Sequence, residues 1–400
     1  MASPLGHLKH LPREVWALLF VRFVISAGGF VTPFLAMMLS IKLGYDNARA
    51  GAFMFMGTLV AAFGMILGGK LGDSFGRRRT LILLQTITAA SFLVCAAMGF
   101  RPALPFVAAF ALGALNGTWP SINAVVADVV PPERLKSAFS LLYWGNNIGF
   151  SVGPLIGGYL FTTAPRGLFL GNALVLLLAA LAVFLFVPEP RRATQGGEDE
   201  EDAASTFAVM RSDPVLAIYA GLCVLSAFVY AQHTFALPYF LKDLLGEIRG
   251  PKAFGTVMAI NGLTVVLFTV PLTWLTRRLP TLTGIAVSAV IFGIGFGAYT
   301  FAHGLPFILA ATAFWTLGEI LGATNGNAFV AERAARSHRA RINSVISTSY
   351  VVGNAVAPLA AGFITRTFDT RAVWLPVGGV ALLTAIGYGA LRWWDLRRTA

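Results

Sequence analysis

Long apolar runs separated by short polar turns repeat along the whole chain. Each run is about 20 residues or longer, the length of helix that crosses the hydrocarbon core of a bilayer. The runs predict about twelve membrane-spanning helices, at residues 16–40, 50–72, 80–99, 103–127, 137–161, 167–187, 214–240, 253–276, 282–302, 304–329, 342–365 and 372–392. These spans use nearly all of the 400 residues, so a water-soluble catalytic domain of ordinary size has no room.

The composition agrees with this pattern. Hydrophobic residues make up 56% of the chain and charged residues 12%, whereas soluble domains carry roughly 25% charged residues. The first apolar run follows basic residues, as in a signal peptide, but it continues for about 25 residues without a clear cleavage site, which favours a retained span. We therefore expect an all-α integral membrane protein with the lipid bilayer as its main partner.

The net charge of +12 is informative through its distribution. If the N-terminus is cytoplasmic, 20 Lys and Arg residues fall inside and 9 outside, with Arg22 within the first span. By the positive-inside rule, this bias places both termini in the cytoplasm. A basic chain can also bind nucleic acid, but here the charges follow membrane topology, so we expect no nucleic-acid partner.

The second half of the chain resembles the first. A shift of 204 residues aligns matching residues in equivalent spans, namely Asp128 with Glu332, Gly149 with Gly353, Pro154 with Pro358 and Gly158 with Gly362. Between the halves, residues 191–205 are polar, charged and poor in apolar residues, as a solvated linker is. The prediction is two six-helix bundles, 1–190 and 213–400, joined by a cytoplasmic linker at 191–212.

A glycine-rich, charged turn follows the second apolar run. Residues 68–81 read GGKLGDSFGRRRTL, which resembles the loop between spans two and three of the major facilitator superfamily. The glycines allow a tight turn, and the acid and arginines can bind neighbouring helix ends. The resemblance implies the major facilitator fold and a conformational latch, formed by Gly69, Asp73, Gly76, Arg77 and Arg78 with Asp128 as partner. The alternative is that the arginines only determine topology.

The equivalent turn in the second half departs from this pattern. After the eighth span it reads LTWLTRRLPTLTG, with Arg277 and Arg278 but no counterpart of Asp73. We interpret the second copy of the turn as decayed.

The fifth span contains a second glycine motif. Residues 149–158 read GFSVGPLIGG, and the spacing of Gly149, Gly153, Pro154, Gly157 and Gly158 resembles the signature of the twelve-span drug:proton antiporters of the superfamily. Three of these glycines fall on one helix face, where another helix can approach closely, and the proline can bend the span. Generic packing of small residues is the alternative, and the second copy, GNAVAPLAAG, lacks two of the glycines.

Ionisable residues inside spans are costly in hydrocarbon and are candidate functional sites. Glu319 lies well inside the tenth span, and a desolvated carboxyl there suits a group that binds either a proton or a cationic substrate. A protonated glutamate that serves packing alone is the alternative. His233 can share in proton coupling or be a solvated histidine near the outer end of its span. Arg22 can face a cavity or extend to the cytoplasmic interface.

Polar and aromatic residues of several spans are candidates for a substrate cavity, because such sites have apolar walls with few polar groups. They are Arg22, Asn116, Trp119, Asn123, Tyr143, Trp144, Asn146, Asn147, Tyr230, Gln232 and Asn325. The alternative for many of them is a helix contact or an anchor at the membrane interface.

The sequence shows no metal-ligand cluster, catalytic triad or nucleotide fingerprint, so we expect no enzyme activity, no metal and no cofactor. The segment GMILGGKL, from Gly64, nearly matches a phosphate-binding loop, but Leu71 replaces the required hydroxyl residue. Cys95 and Cys223 both fall within predicted spans, where we expect buried small residues and no disulfide.

Three functions remain open from the sequence. The first is a secondary active transporter, a proton-coupled exporter of small amphipathic or drug-like compounds (multidrug efflux) that works by alternating access. The second is a proton-coupled importer of a sugar or peptide, and the third is a non-transporting membrane sensor. The compact loops resemble bacterial members of the superfamily, so we expect a monomer in the inner (plasma) membrane.

Overall fold

The computed structural model describes residues 12–131, 134–189, 213–333 and 339–399. All regular secondary structure in these ranges is helical, as the hydropathy pattern predicts. The helices are α1 Arg13–Ala27, α2 Asn47–Phe75, α3 Arg77–Met98, α4 Leu104–Asn116, α5 Thr118–Val129, α6 Leu135–Thr163, α7 Pro165–Phe186, α8 Pro214–Ala231, α9 Ala236–Thr276, α10 Thr281–Ala298, α11 Leu305–Arg333, α12 Arg339–Thr367 and α13 Trp374–Thr399. Short helical turns lie at Thr32–Phe34, Leu35–Met37, Met38–Lys42, Tyr299–Phe301 and Thr370–Val373. The predicted linker 191–212 lies outside the described residues.

Local sequence sets the helix ends. Pro165 and Pro214 stand at the first position of α7 and α8, where a missing N–H costs nothing. The side chain of Asp213 caps α8 by accepting a 3.1 Å hydrogen bond from the Val215 backbone N–H. Gly76 has φ +102° and separates α2 from α3, and Gly246 has φ +84° and bends α9. Only glycine adopts such angles without strain.

Nine helical stretches within the described ranges are long and apolar enough to cross a membrane. The protein is therefore a multi-pass helical membrane protein, while the number twelve stays a prediction. Predicted spans 214–240 and 253–276 fall in one helical stretch, 214–276, in which α9 consists of two helical parts that meet at the kink at Gly246, within the expected loop.

Two other predicted spans are not among the nine. Span 103–127 is divided at Gly117 into α4 and α5, each too short to cross alone. Span 137–161 corresponds to the 29-residue α6. The first predicted span, 16–40, is also interrupted, because α1 ends at Ala27 before two glycines, and the chain continues in short helical turns.

Large apolar side chains cover the outer faces of the helices. Phe63 of α2 is 62% exposed, Phe186 of α7 63% and Phe363 of α12 71%. In water so much exposed apolar surface would be strongly unfavourable, whereas lipid tails solvate it. The exposure therefore supports a bilayer environment.

The chain folds into two compact units. Unit 1 consists of the described residues within 1–45, 56–194 and 246–262. Its core forms where α1 packs against α6 and α7 and where α3 packs against α4 and α7. Buried side chains of this core include Val15, Leu18 and Val21 of α1 and Val125 and Val126 of α5.

Unit 2 consists of the described residues within 46–55, 195–245 and 263–400. Here α10 packs against α11 and α13, and α8 packs against α12 and α13. Its core includes Val215 and Tyr219 of α8, Ile285 of α10, Phe329 of α11 and Tyr388 of α13. The predicted division into 1–190 and 213–400 stays a prediction, since each unit also takes a short segment from the other half of the sequence.

The two cysteines are buried within the helices. Cys95 lies in α3 of unit 1 and Cys223 in α8 of unit 2, and both are free thiols. The expectation of buried, unbridged cysteines is confirmed.

Candidate functional site

An acidic and aromatic site lies within unit 2. Glu319 sits in the middle of α11 and is partly buried. The phenol hydroxyl of Tyr230, in the last turn of α8, donates a 2.8 Å hydrogen bond to Oε1 of Glu319. A hydrogen bond to a carboxylate is stronger than one between neutral groups, so this contact positions the carboxylate. Glu319, predicted for proton coupling, and Tyr230, predicted for the substrate cavity, thus lie together.

Aromatic rings surround this pair. The ring centroid of Tyr230 lies 4.3 Å from that of His233, 6.0 Å from Phe292 and 6.3 Å from Trp315. Trp315 is one helical turn before Glu319 on α11, so both side chains share a face. We call Tyr230, His233, Phe292, Trp315 and Glu319 the Glu319 site. A carboxyl group among aromatic rings can hold a proton or an organic cation, but only one at a time.

A buried hydrogen-bond chain orients Trp315. Its indole Nε1 donates a 2.8 Å hydrogen bond to the Tyr299 hydroxyl, which lies 2.7 Å from Oγ1 of Thr312. The ring of Phe296 stacks on Trp315 with centroids 5.0 Å apart and an interplanar angle of 16°. The sequence pattern alone did not identify Phe292, Phe296 or Tyr299, although their spacing of four and three residues is the signal of one helix face.

His233 lies in the turn between α8 and α9 and is only 5% exposed. Its Nδ1 atom is 2.5 Å from the carbonyl oxygen of Tyr230. The interpretation of His233 as a solvated residue is wrong, because α8 ends at Ala231 and the following turn folds the imidazole back under Tyr230 and Trp315.

Other candidate cavity residues of unit 2 make local contacts. Gln232 is fully buried and donates from Nε2 to the Ala357 carbonyl at 3.3 Å. Asn325 donates a 2.9 Å hydrogen bond from Nδ2 to the Leu321 carbonyl of its own helix and packs against Gly284. These contacts tie helices together and do not by themselves mark a cavity.

A second cluster lies within unit 1 around Arg22 of α1. Its Nη2 atom donates a 2.9 Å hydrogen bond to Oδ1 of Asn123. The guanidinium carbon lies 3.6 Å from the ring centroid of Trp119, a close cation–π contact. One turn further along α1, the Ser26 hydroxyl donates a 2.7 Å hydrogen bond to Oδ1 of Asn146 on α6. The structure thus brings the predicted cavity residues Trp119, Asn123 and Asn146 to the side of α1 that carries Arg22 and Ser26.

The remaining cavity candidates of unit 1 lie on α4 and α6. Asn116 and Asn147 donate 2.8 Å hydrogen bonds to carbonyls of their own helices, Leu112 and Tyr143. Tyr143 and Trp144 are 48% and 53% exposed. None of these contacts joins them to the Arg22 cluster.

The charged turn after α2 connects α2 to α3 and binds the end of α5 in unit 1. Arg77, the first residue of α3, forms an ion pair with Asp128 near the end of α5. Its Nη1 atom also donates to the Ala124 carbonyl at 2.9 Å. Gly76 precedes α3 with its positive φ, while Gly69 and Asp73 lie in the last turns of α2. The expected pairing of Asp128 with the arginines is thus present, whereas a latch role stays a prediction.

Arg78 binds a different helix. Its Nη2 atom donates a 2.6 Å hydrogen bond to the Phe184 carbonyl at the end of α7, and its backbone N–H lies 3.3 Å from Oε1 of Glu189. A Cβ at Gly76 would meet Oε1 of Glu189 at 2.6 Å. Sequence reasoning did not identify Glu189, because the pattern around it is that of an ordinary span end.

The glycine motif of α6 forms a close packing surface for α1. A Cβ at Gly149 would lie 2.6 Å from the Phe23 carbonyl oxygen, and one at Gly153 would lie 2.7 Å from that of Ser26. A Cβ at Gly157 would meet the Phe34 ring at 2.7 Å.

The end of the motif faces α9. A Cβ at Gly158 would lie 2.6 Å from the carbonyl oxygen of Pro251, and a Cβ at Gly255 would meet that of Pro154 at 2.4 Å. These distances are too short for any side chain. The motif therefore permits backbone contact on two sides of α6 within unit 1.

Charged residues also tie helix ends in unit 2. Arg333, the last residue of α11, pairs through Nε with Asp213 before α8 at 2.6 Å and through Nη1 with Asp395 of α13 at 2.8 Å. The Thr281 hydroxyl, at the first residue of α10, donates a 3.1 Å hydrogen bond to Oε2 of Glu332. No set of three or more His, Cys, Asp or Glu side chains in the described ranges is arranged to hold a metal ion.

Helical, multi-pass membrane proteins with ionisable groups inside their bundles include the membrane transporters. The family model of the Major Facilitator Superfamily matches residues 18–247 and 245–400. The chain belongs to this superfamily and is one of its transporters.

Relatives and solved structures agree with this assignment. The chain is 26% identical over 396 residues to a Na(+), Li(+), K(+)/H(+) antiporter of Planococcus maritimus, covering 92% of each protein. It is 27% identical over 395 residues to the multidrug resistance protein MdtG of Dickeya zeae, covering 94% of this chain and 92% of MdtG. A mutant of the nucleoside transporter NupG has a similar structure, with a TM-score of 0.81 at 16% identity, covering 94% of this chain and 99% of NupG. At this identity the likeness shows the fold alone.

Proposed function

We propose that this protein is a proton-coupled antiporter that exports small amphipathic compounds by alternating access. In this proposal, twelve spans form two six-helix bundles, 1–190 and 213–400, joined by the linker 191–212. The protein works as a monomer in the cell inner membrane, with both termini in the cytoplasm. Proton entry drives the change of access that releases the substrate outside.

The Glu319 site is the observation that carries this proposal. Its carboxyl accepts a hydrogen bond from Tyr230, whose ring lies near those of Phe292, Trp315 and His233. Protonation of Glu319 removes the charge that attracts a cationic substrate, so a proton and a substrate exclude each other there. This mutual exclusion is the basis of exchange. The names of two relatives, a cation/proton antiporter and a multidrug resistance protein, support exchange and export.

Vesicle transport tests this function. Inside-out vesicles that contain the native protein, loaded with an acid interior, should accumulate cationic dyes, and Glu319→Gln should abolish the accumulation. The matched control is Glu247→Gln, because Glu247 is an exposed acid of α9 outside the Glu319 site. Failure of folded native protein to accumulate any dye would contradict export. Accumulation that survives Glu319→Gln would place the coupling elsewhere.

Monovalent-cation exchange is the second candidate, because the Planococcus relative carries that activity in its name. A carboxyl group that alternates between a proton and an organic cation can also alternate between a proton and Na⁺ or K⁺. Addition of NaCl or KCl to the same acid-loaded vesicles distinguishes the two, since cation exchange dissipates the proton gradient without any dye. Import reverses the direction of dye movement, and a sensor binds dye without moving it.

A further inference from the structure

Arg22 places a positive charge nine residues from the start of α1, partly buried in unit 1. It is about 14 Å along α1 from the first residue of the helix at 1.5 Å per residue. A charged side chain at such a depth is costly and marks a functional site by default. The guanidinium does not extend back along α1 toward Arg13, because it lies against Trp119 and Asn123 of α5.

The two α5 residues hold the guanidinium in one orientation. Trp119 and Asn123 are four positions apart, so they occupy one face of α5 in adjacent turns. The guanidinium carbon lies 3.6 Å from the centroid of the indole ring, and Oδ1 of the Asn123 side chain accepts a 2.9 Å hydrogen bond from Nη2. These two contacts fix the position of the guanidinium group.

The described residues do not neutralise this charge. Ion pairs between described side chains involve Arg77, Arg333 and Lys242 but not Arg22. The buried Nε atom of Arg22 has no hydrogen-bond acceptor within the described ranges, although a guanidinium carries five N–H donors. A guanidinium without an acidic partner can bind an anion.

We propose that Arg22, Trp119 and Asn123 form a subsite for the carboxylate of an aromatic, amphipathic substrate. The planar fork of a guanidinium binds a carboxylate through two parallel hydrogen bonds. The Asn123 amide supplies further donors, because its carbonyl oxygen is already used by Arg22. The inference rests on the proposed function and adds compounds that bear a carboxylate, zwitterions among them, to the cationic compounds proposed as substrates.

Binding of a matched pair of fluorescent probes tests the subsite. Dansylglycine carries a carboxylate, and dansylglycinamide has nearly the same shape without the charge. Both are titrated against the full-length protein in nanodiscs of neutral lipid, with empty nanodiscs as background. Native protein should bind dansylglycine about tenfold more tightly or better, because hydrogen bonds to charged groups are the strong ones. Arg22→Gln should remove this preference and leave the affinity for dansylglycinamide unchanged.

Two further variants separate recognition from folding. Arg22→Lys keeps the charge but loses the fork, so it should retain part of the preference. Arg13→Gln, which removes an exposed arginine from the same helix, should leave the full preference. If Arg22 only ties α1 to α5, Arg22→Gln will weaken both probes equally. Equal weakening of both probes would overturn the proposal. Equal affinity of the native protein for the two probes, or no binding of dansylglycine, would overturn it too.

The same preparations separate this inference from the proposed function. Proton-driven dye export by a protein without preference for dansylglycine contradicts the carboxylate subsite alone. A preference that depends on Arg22, in a protein that moves no dye under any proton gradient, contradicts export and keeps the subsite.

Discussion

Thr281 donates a 3.1 Å hydrogen bond to Glu332. In the repeat with a shift of 204 residues, Thr281 corresponds to Arg77 and Glu332 to Asp128. In both halves, the first residue of one helix therefore binds the penultimate residue of another, α3 to α5 and α10 to α11. We interpreted the second turn as decayed because its acid is missing. The structure shows that the tie between helix ends persists there, with a neutral hydroxyl in place of the guanidinium.

These two ties should differ in their response to salt. A double-mutant cycle of Arg77→Ala and Asp128→Asn should give a coupling of about 1 kcal/mol at low ionic strength, because the pair is partly exposed. At about 1 M salt, screening should remove most of this coupling. The cycle of Thr281→Val and Glu332→Gln should change less with salt, since one partner is uncharged. Thermal unfolding in detergent measures both, and equal salt dependence would contradict this account.

Tyr230→Phe should impair transport without abolishing it. The substitution keeps the aromatic ring but removes the 2.8 Å hydrogen bond to Glu319, so the carboxyl is less well positioned. We expect proton-driven uptake in the vesicle assay to fall roughly three- to tenfold, the effect of about one hydrogen bond. Tyr350→Phe is the control, because Tyr350 lies on α12 outside the Glu319 site. A native rate in Tyr230→Phe would mean that this hydrogen bond has no part in coupling.

Gly153→Ala should destabilise the protein. The new methyl group would lie 2.7 Å from the Ser26 carbonyl oxygen and 2.9 Å from that of Ala27, and backbone atoms cannot move aside easily. Forcing an extra carbon into such packing costs about 1–3 kcal/mol. The control is Gly57→Ala in α2, where no atom lies within 4 Å of the added carbon. That control should be neutral or slightly stabilising, because alanine favours helix. Equal melting temperatures for the two variants would show that α1 can shift without cost.

Arg333→Gln should weaken the packing of unit 2. Arg333 pairs with both Asp213 and Asp395, so the substitution removes the guanidinium that both carboxylates bind. The three side chains are partly exposed, and we expect a loss of about 1–2 kcal/mol of unfolding free energy. Arg278→Gln, which changes an exposed arginine in the turn between α9 and α10, should lower the unfolding free energy little. If the two variants melt alike, the three-residue network contributes nothing measurable.

Some features of the site follow from the spacing of residues along one helix, whereas others depend on which helices pack together. The glycine face of α6 could be predicted because a spacing of four residues defines one side of any helix. That α1 lies against Gly149 and Gly153, while α9 lies against Gly158, could not be predicted, because the spacing says nothing about which helix approaches. The predicted loop 241–252 contains the non-helical Gly246, but the residues on both sides of it are helical and belong to α9, which polarity alone did not indicate.

The sequence by itself determined that this chain is a helical, multi-pass membrane protein of the Major Facilitator Superfamily. Lipid requires long apolar segments whose backbone groups are satisfied within each helix, and such segments are visible residue by residue. Only the tertiary structure decided that Tyr230 binds Glu319, that Arg22 lies on Trp119 without an acidic partner among the described residues, and that Thr281 binds Glu332. Each of these contacts joins different helices, and such pairings follow from how whole helices pack.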